Sequence, residues 1–180
     1  MNFETLVARG GRDVASASRP LTAPIYQTNV YVFEDMDTVE SVWEHKTPGF
    51  VYGRQGNPTA AALEAKITKM EDGIATACFS TGMAAIAATF VALLRAGDHV
   101  VSSSYLFGNT NSLFGTFNTQ GFDISFVDAT RVDEVERALR PNTRLVFVET
   151  IANPRTQVAD LARIGELCAR RGLLLSLIHI

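Results

Sequence analysis

Four short segments carry residue types that handle anions and flat rings. Ser80-Thr81-Gly82-Met83 lies where an apolar run gives way to a helical pattern. Glycine lets a ligand approach the backbone, and the free N–H groups of a first helical turn attract a phosphate. The same residues also read as an ordinary strand-to-helix turn capped by Thr81. Tyr52-Gly53-Arg54 sets a phenol beside a guanidinium in a Gly/Pro-rich loop. That pair suits phosphate or carboxylate recognition, or it is a solvated loop arginine. Phe107-Gly108 and Asn153-Pro154 each follow a strand candidate, and open α/β sheets take their ligands at the carboxyl ends of strands. Phe107 suits stacking on a planar ring or packing in a core. Asn153 suits a bond to a ligand hydroxyl or the cap of the next helix.

Other chemistries find less support. His45, His99 and His179 stand far apart with no ligand spacing, so they read as structural or solvent-facing. Asp35, Asp37, Glu40 and Glu44 read as the wet face of a short helix rather than a metal site. There is no G-x-G-x-x-G and no P-loop, so dinucleotide and nucleoside-triphosphate readings lack their signatures. Cys78 and Cys168 sit in apolar runs and read as buried free thiols of a reducing compartment.

The elements that must position these segments follow from periodicity. Residues 1–58 are rich in Pro and Tyr with little sustained pattern, and read as an arm lying on something else, such as another subunit. Tyr26–Phe33 is an extended candidate, and Asp37–His45 a short helix. Asn57-Pro58 starts a helix carrying Leu63, Ile67 and Met70, which ends at Gly73. Residues 59–180 then alternate. Ile74–Ser80, His99–Ser103, Phe122–Val127, Arg144–Glu149 and Leu173–Ile178 read as strands. Met83–Arg95 is apolar on nearly every side and is expected to be buried all round. Thr130 is expected to cap a helix carrying Val132, Val135 and Leu139, and Val158, Leu161, Ile164 and Leu167 mark another, closed by Gly172. This alternation predicts an α/β domain, a mainly parallel sheet flanked by helices.

The composition agrees with such a domain. With 47% apolar residues over 180 positions, the chain can bury a substantial core. A net charge of −3 without a basic cluster argues against nucleic acid or an anionic membrane as partner. No run reaches membrane-spanning length, and Met1-Asn2-Phe3-Glu4 does not open a secretory signal, so a cytoplasmic location is expected.

Six segments occur in a telling order: Pro24-Ile25-Tyr26-Gln27-Thr28, Tyr52-Gly53-Arg54, Asn57-Pro58-Thr59, Thr81-Gly82-Met83-Ala84-Ala85-Ile86, Ala96-Gly97-Asp98-His99, and Glu149-Thr150 with Asn153-Pro154. In this the sequence resembles the cystathionine γ-synthase family of pyridoxal-phosphate enzymes of cysteine and methionine metabolism, over about residues 5–175. The resemblance implies the large domain of that fold type and pyridoxal 5′-phosphate as cofactor. It implies an amino-acid substrate and a homo-oligomer, a dimer of dimers at full length. Thr81, Gly82 and Met83 would hold the cofactor phosphate. Tyr52 and Arg54 would reach the phosphate of a neighbouring subunit. Phe107 would lie over the pyridine ring, and Asn153 would bond its 3-hydroxyl.

Two departures shape the expected reaction. Lyases and cystathionine synthases of the family usually carry Tyr in a Y-G-G-T run where Leu106-Phe107-Gly108-Asn109-Thr110 stands, which leans towards the O-acylhomoserine sulfhydrylase branch. Replacement at Cγ of an O-acylhomoserine by a sulfur nucleophile is therefore expected, with γ-elimination as the alternative. The family then continues through V-D-N-T, whose Asp bonds the pyridine nitrogen, and here Ile178 falls at that place. The lysine that the family joins to the cofactor is expected beyond residue 180, so the chain reads as a piece of a longer enzyme and as inactive by itself.

Overall fold

Asn57 caps the longest helix among the described residues. Its side chain accepts the Thr59 N–H at 2.8 Å, Pro58 occupies the first turn, and helix α2 runs Pro58–Met70. The same amide donates to the Tyr26 carbonyl at 3.0 Å, while Thr59 Oγ1 accepts the Tyr26 N–H at 2.9 Å. Asn57 and Thr59 thus fasten the extended stretch around Tyr26 to the start of a helix. Before it lies α1, Met36–Trp43, capped by Asp35. The computed structural model describes residue 18 and residues 20–179, so the arm expected over 1–58 lies partly outside the described residues. The chain divides into two compact units, residues 1–78 and 79–180.

The second unit is the α/β domain. Its elements are α3 (Gly82–Leu93), β1 (His99–Ser103), α4 (Gly108–Thr119), β2 (Asp123–Val127), α5 (Val132–Ala138), β3 (Thr143–Glu149), α6 (Leu161–Arg171) and β4 (Leu174–Ile178). The strands are parallel in the order β2-β1-β3-β4. Alternate residues divide between the faces, as the two-residue repeat of a strand requires. Val100, Ile124, Leu145 and Phe147 pack with Ile86 and Phe90 of α3 and Phe114 and Phe117 of α4. Val101, Val146 and Val148 pack on the opposite face with Val135 of α5 and Ile164 and Leu167 of α6.

Phe90 is the centre of the first face. It is fully buried, with ring centroids of Phe114 at 4.7 Å, Phe117 at 5.2 Å, Phe147 at 6.1 Å and Phe122 at 6.5 Å. Helix α3 is nevertheless not enclosed all round. The sheet takes the stripe with Ile86 and Phe90, while Val91 and Leu93 are exposed. Residues 74–80 also depart from expectation. They form no ladder with any described strand, Ile74 and Phe79 are exposed, and without a partner an apolar run gains no strand hydrogen bonds. Cys78 is exposed rather than buried, while Cys168 is buried. Thr130 does not cap α5. Its hydroxyl donates to Asp128 at 2.6 Å, which leaves Arg131 as the N-cap with no side-chain bond.

The amino ends of the strands hold a polar cluster. His99 opens β1 between Asp123 and Thr143, its partners across the ladder, and is fully buried. Nδ1 is 2.7 Å from Thr143 Oγ1 and Nε2 is 3.0 Å from Ser125 Oγ. Arg140 pairs with Asp123 and donates to Ser125 Oγ at 3.0 Å. The ring is thus a structural histidine. Burial pulls it below the ordinary imidazole value, Arg140 adds to that, and Asp123 opposes it.

The fold therefore binds this proton less readily than the unfolded chain does. The stability it contributes is complete above the unfolded imidazole value of about 6.5 and is lost as pH falls through the lower value in the fold. Thermal melts between about pH 7.5 and about pH 5 should show a larger drop for the wild type than for His99→Gln. Equal drops would remove His99 from the account. Phe90→Ala should cost about 3–5 kcal/mol in denaturant unfolding, whereas Leu174→Ala, at a half-exposed edge position, should cost well under half of that.

Candidate functional site

The strand order fixes where a ligand crevice can open. After β1 the chain passes to α4 on one face of the sheet, and after β3 it passes to α6 on the other. β1 and β3 are neighbours, so their outgoing loops diverge and leave a crevice at their carboxyl ends. Phe107 lies in the first of these loops and Asn153 in the second.

Glu149, the last residue of β3, spans the two. Oε1 accepts the Phe107 N–H at 3.0 Å and Oε2 accepts the Asn153 N–H at 3.3 Å. Phe107 is the N-cap of α4 and has no side-chain oxygen with which to cap it, so the carboxylate supplies the negative charge at that helix start from another strand. Phe107 remains 44% exposed, which leaves room for a ligand to meet it. Asn153 does not cap α6, since Asp160 does so through a 3.2 Å bond from the Arg163 N–H. Beside Asn153 is a cavity of about 290 Å³ lined also by Tyr105, Arg155 and Gln157. Gln157 Oε1 is buried there without a hydrogen-bond partner among the described residues.

The turn at Thr81 faces outward. Thr81 Oγ1 accepts the Ala84 N–H at 3.0 Å, so its hydroxyl proton is free to be donated. The Gly82 and Met83 N–H groups are the first two of α3 and have no partner among the described residues. A Cβ built on Gly82 would meet nothing within 4 Å, so the approach to these donors is open. Met83 joins this turn to the crevice wall: it packs with the core around Leu106, and Thr110 of α4 places its hydroxyl 3.9 Å from Met83 Sδ. Thr81, Gly82, Met83, Phe107 and Asn153 thus belong to one unit, with Phe107 and Asn153 joined directly through Glu149.

Tyr52 and Arg54 belong to the first unit. Arg54 Cζ lies 4.9 Å from the Tyr52 ring centroid, a cation–π pair. Val30 bridges Tyr52, and Gly53 donates to the Asn29 carbonyl at 2.8 Å. A side chain at Gly53 would come within 2.6 Å of Asn29 Oδ1 and 3.2 Å of Asn29 Cα, so the turn needs glycine. Lys46, Lys66 and Lys69 are the lysines of the chain, and all of them lie in this unit.

Sequence reasoning found the loops but gave Glu149 no role. The available signal was an acidic residue closing an apolar strand, where burial makes a carboxylate costly unless it is bonded. If Thr81 caps α3 as described, Thr81→Ala should lower stability by about 1 kcal/mol, and Thr81→Ser should restore most of it in denaturant melts. No loss in the alanine variant would mean that the cap carries no stability.

Comparison with known proteins gives this geometry a family. Residues 4–178 match the model for Cys/Met metabolism PLP-dependent enzymes. The chain is 40% identical over 148 residues to an L-methionine gamma-lyase of Fusobacterium nucleatum subsp. polymorphum, covering 82% of this chain and 38% of that protein. It is 37% identical over 173 residues to the O-acetyl-L-homoserine sulfhydrylase of Corynebacterium glutamicum, covering 95% and 40%. Among solved structures, a putative O-acetylhomoserine (thiol)-lyase from Campylobacter jejuni, which carries N'-pyridoxyl-lysine-5'-monophosphate, superposes with a TM-score of 0.82 at 28% identity. That match covers 98% of this chain and 44% of the other. The chain spans well under half the length of these relatives. By the match over nearly its whole length, the chain belongs to the Cys/Met metabolism family of PLP-dependent enzymes.

Proposed function

We propose that this chain is the cofactor-holding part of a longer enzyme that replaces the Cγ acyloxy group of an O-acylhomoserine with a sulfur nucleophile. The observation that carries the reading is that one unit presents open N–H donors at the start of α3 and, at the crevice between β1 and β3, the Phe107 and Asn153 loops held through their backbone N–H groups by Glu149. Bound here, pyridoxal 5′-phosphate would supply an electron sink for carbanions next to its substrate's amino group.

The residues present fit that group at three places. The Thr81 hydroxyl and the Gly82 and Met83 N–H groups would bind the phosphate, helped by the positive end of α3. Phe107 would cover one ring face and keep water from it. Asn153 would orient the ring through its 3-hydroxyl. At the ring nitrogen the fit is poorer, because Ile178 offers no acceptor where the family resemblance expects an aspartate. No lysine lies in residues 79–180, so we infer that the 180-residue chain does not turn over substrate unaided.

Phe107 favours sulfhydrylase over lyase chemistry, since a phenol able to move a proton is lacking at that position. Elimination is the second reading, and the identity to methionine gamma-lyases supports it. Tyr52 and Arg54 would serve the phosphate site of another copy in a homo-oligomer of the dimer-of-dimers type. The exposed Val91 and Leu93 support such a neighbour. A cytoplasmic location accords with a free exposed Cys78, and no described helix is long and apolar enough to cross a membrane.

Equilibrium dialysis of the chain against pyridoxal 5′-phosphate tests the site. Gly82→Ala should not lower the melting temperature, because nothing lies near its Cβ and alanine suits a helix at least as well, yet it should weaken retention about tenfold or more by crowding the phosphate donors. Unchanged retention would remove the phosphate assignment. Borohydride treatment followed by peptide mapping should fix no stoichiometric adduct in residues 79–180. A longer chain with a lysine-bearing continuation should make homocysteine from O-acetylhomoserine and sulfide faster than it degrades methionine; the reverse order would favour the lyase reading.

A further inference from the structure

We propose that Glu149 is a positioning residue, whose carboxylate sets the separation of Phe107 and Asn153 across the crevice by holding one backbone N–H of each loop. The residue is 3% exposed and, among the described residues, its carboxylate has no cationic partner. A buried charge held only by two amides is a poor investment in stability, because desolvation opposes it and no cation offsets it. It is a good device for geometry. Bonds to a carboxylate are directional, and each oxygen here takes a different loop, at 3.0 and 3.3 Å.

The side-chain type follows from the donors. Two N–H groups converge, so both partner atoms must accept. An ionised carboxylate does this, whereas a glutamine would turn its own NH₂ towards one of the amides. An Asp, Ser or Thr at position 107 would cap α4 locally and leave the second loop unheld. Leu145, Phe147 and Glu149 alternate along β3, and the first two point into the aromatic core. The carboxylate is therefore carried by one of the most firmly packed strands of the unit. This inference deepens the cofactor reading, but its first test does not depend on it.

That test is site-resolved amide exchange on the 180-residue chain, followed by NMR. In the wild type the Phe107 and Asn153 amides should be protected although both lie in loops. In Glu149→Gln the amide that meets the new NH₂ should exchange about tenfold faster or more, the size of one lost charge-assisted bond, while the amide still on the glutamine oxygen loses less and Val100, Val101 and Val146 in the strands stay unchanged. Fast exchange of either amide in the wild type overturns the proposal, and this arm decides even if no variant folds. A uniform loss across the sheet in Glu149→Gln, which a purely structural role would give, overturns it as well. Glu149→Asp keeps the charge but is one methylene short, so it should protect one amide and not both; protection of both would refute the spacing role. A second arm compares dialysis with pyridoxal 5′-phosphate, where Glu149→Gln should retain it about tenfold less well. If the wild type retains none, the cofactor reading fails for this chain while the exchange result still decides the role of Glu149.

Discussion

Two amides on one carboxylate hold the loops at the carboxyl edge of this sheet together. A parallel sheet whose outgoing loops part to opposite faces leaves an open seam between two strands, and nothing in backbone pairing closes it beyond the last ladder bond. Here the seam lies between β1 and β3. Glu149 crosses it from the last position of β3. Without that link the start of α4 would lack its distant cap, and the loop through Asn153 would rest on its own turns, the bonds from Ala152 to Gln157 and from Thr156 to Ala152.

The link has meaning only because both of its ends are anchored. On one side α3 and α4 are packed through the Phe90 ring cluster, which also fixes the Thr81 turn relative to Phe107 through Met83 and Thr110. On the other side α6 is held by Ile164, Leu167 and Cys168 against the opposite face, and closes on Gly172 in the left-handed conformation. Burial pushes the Cys168 thiol up, so it stays protonated and behaves as a small apolar side chain. The first unit is organised differently. Its order comes from side-chain bonds to the backbone around Asn57 and Thr59 rather than from a large apolar core, and Val42 is its one buried large apolar side chain among the described residues.

Features that depend on neighbours in sequence were legible from sequence. Asn57-Pro58 and Thr81 cap the helices expected of them, Gly172 closes α6, and strands β1 to β4 fall within a residue or two of the apolar runs. Features that depend on what lies opposite were not. Residues 74–80 have a strand's composition but no ladder partner among the described residues. Thr130 has a cap's identity, yet Asp128 two residues earlier takes its hydroxyl. The helix α3 is apolar all round, but the sheet offers only one surface to it. Of the candidate site, the loop residues could be named from motif order. Glu149 could not be given its role, because its two partners are brought to it by strand order, which no local pattern encodes.

The sheet is thus chemically polarised along its strands. At the amino ends His99, Thr143, Ser125 and Arg140 satisfy one another and leave little for a ligand to bind. At the carboxyl ends donors are left open at Gly82 and Met83, and an acceptor is left open at Gln157. The same strand is therefore sensitive to substitution in different ways over its length. Drift at its beginning would register as lost yield of folded protein, and drift at its end as altered ligand preference with the fold intact. A lineage could then vary its chemistry at one pole of the sheet while its foldability is guarded at the other.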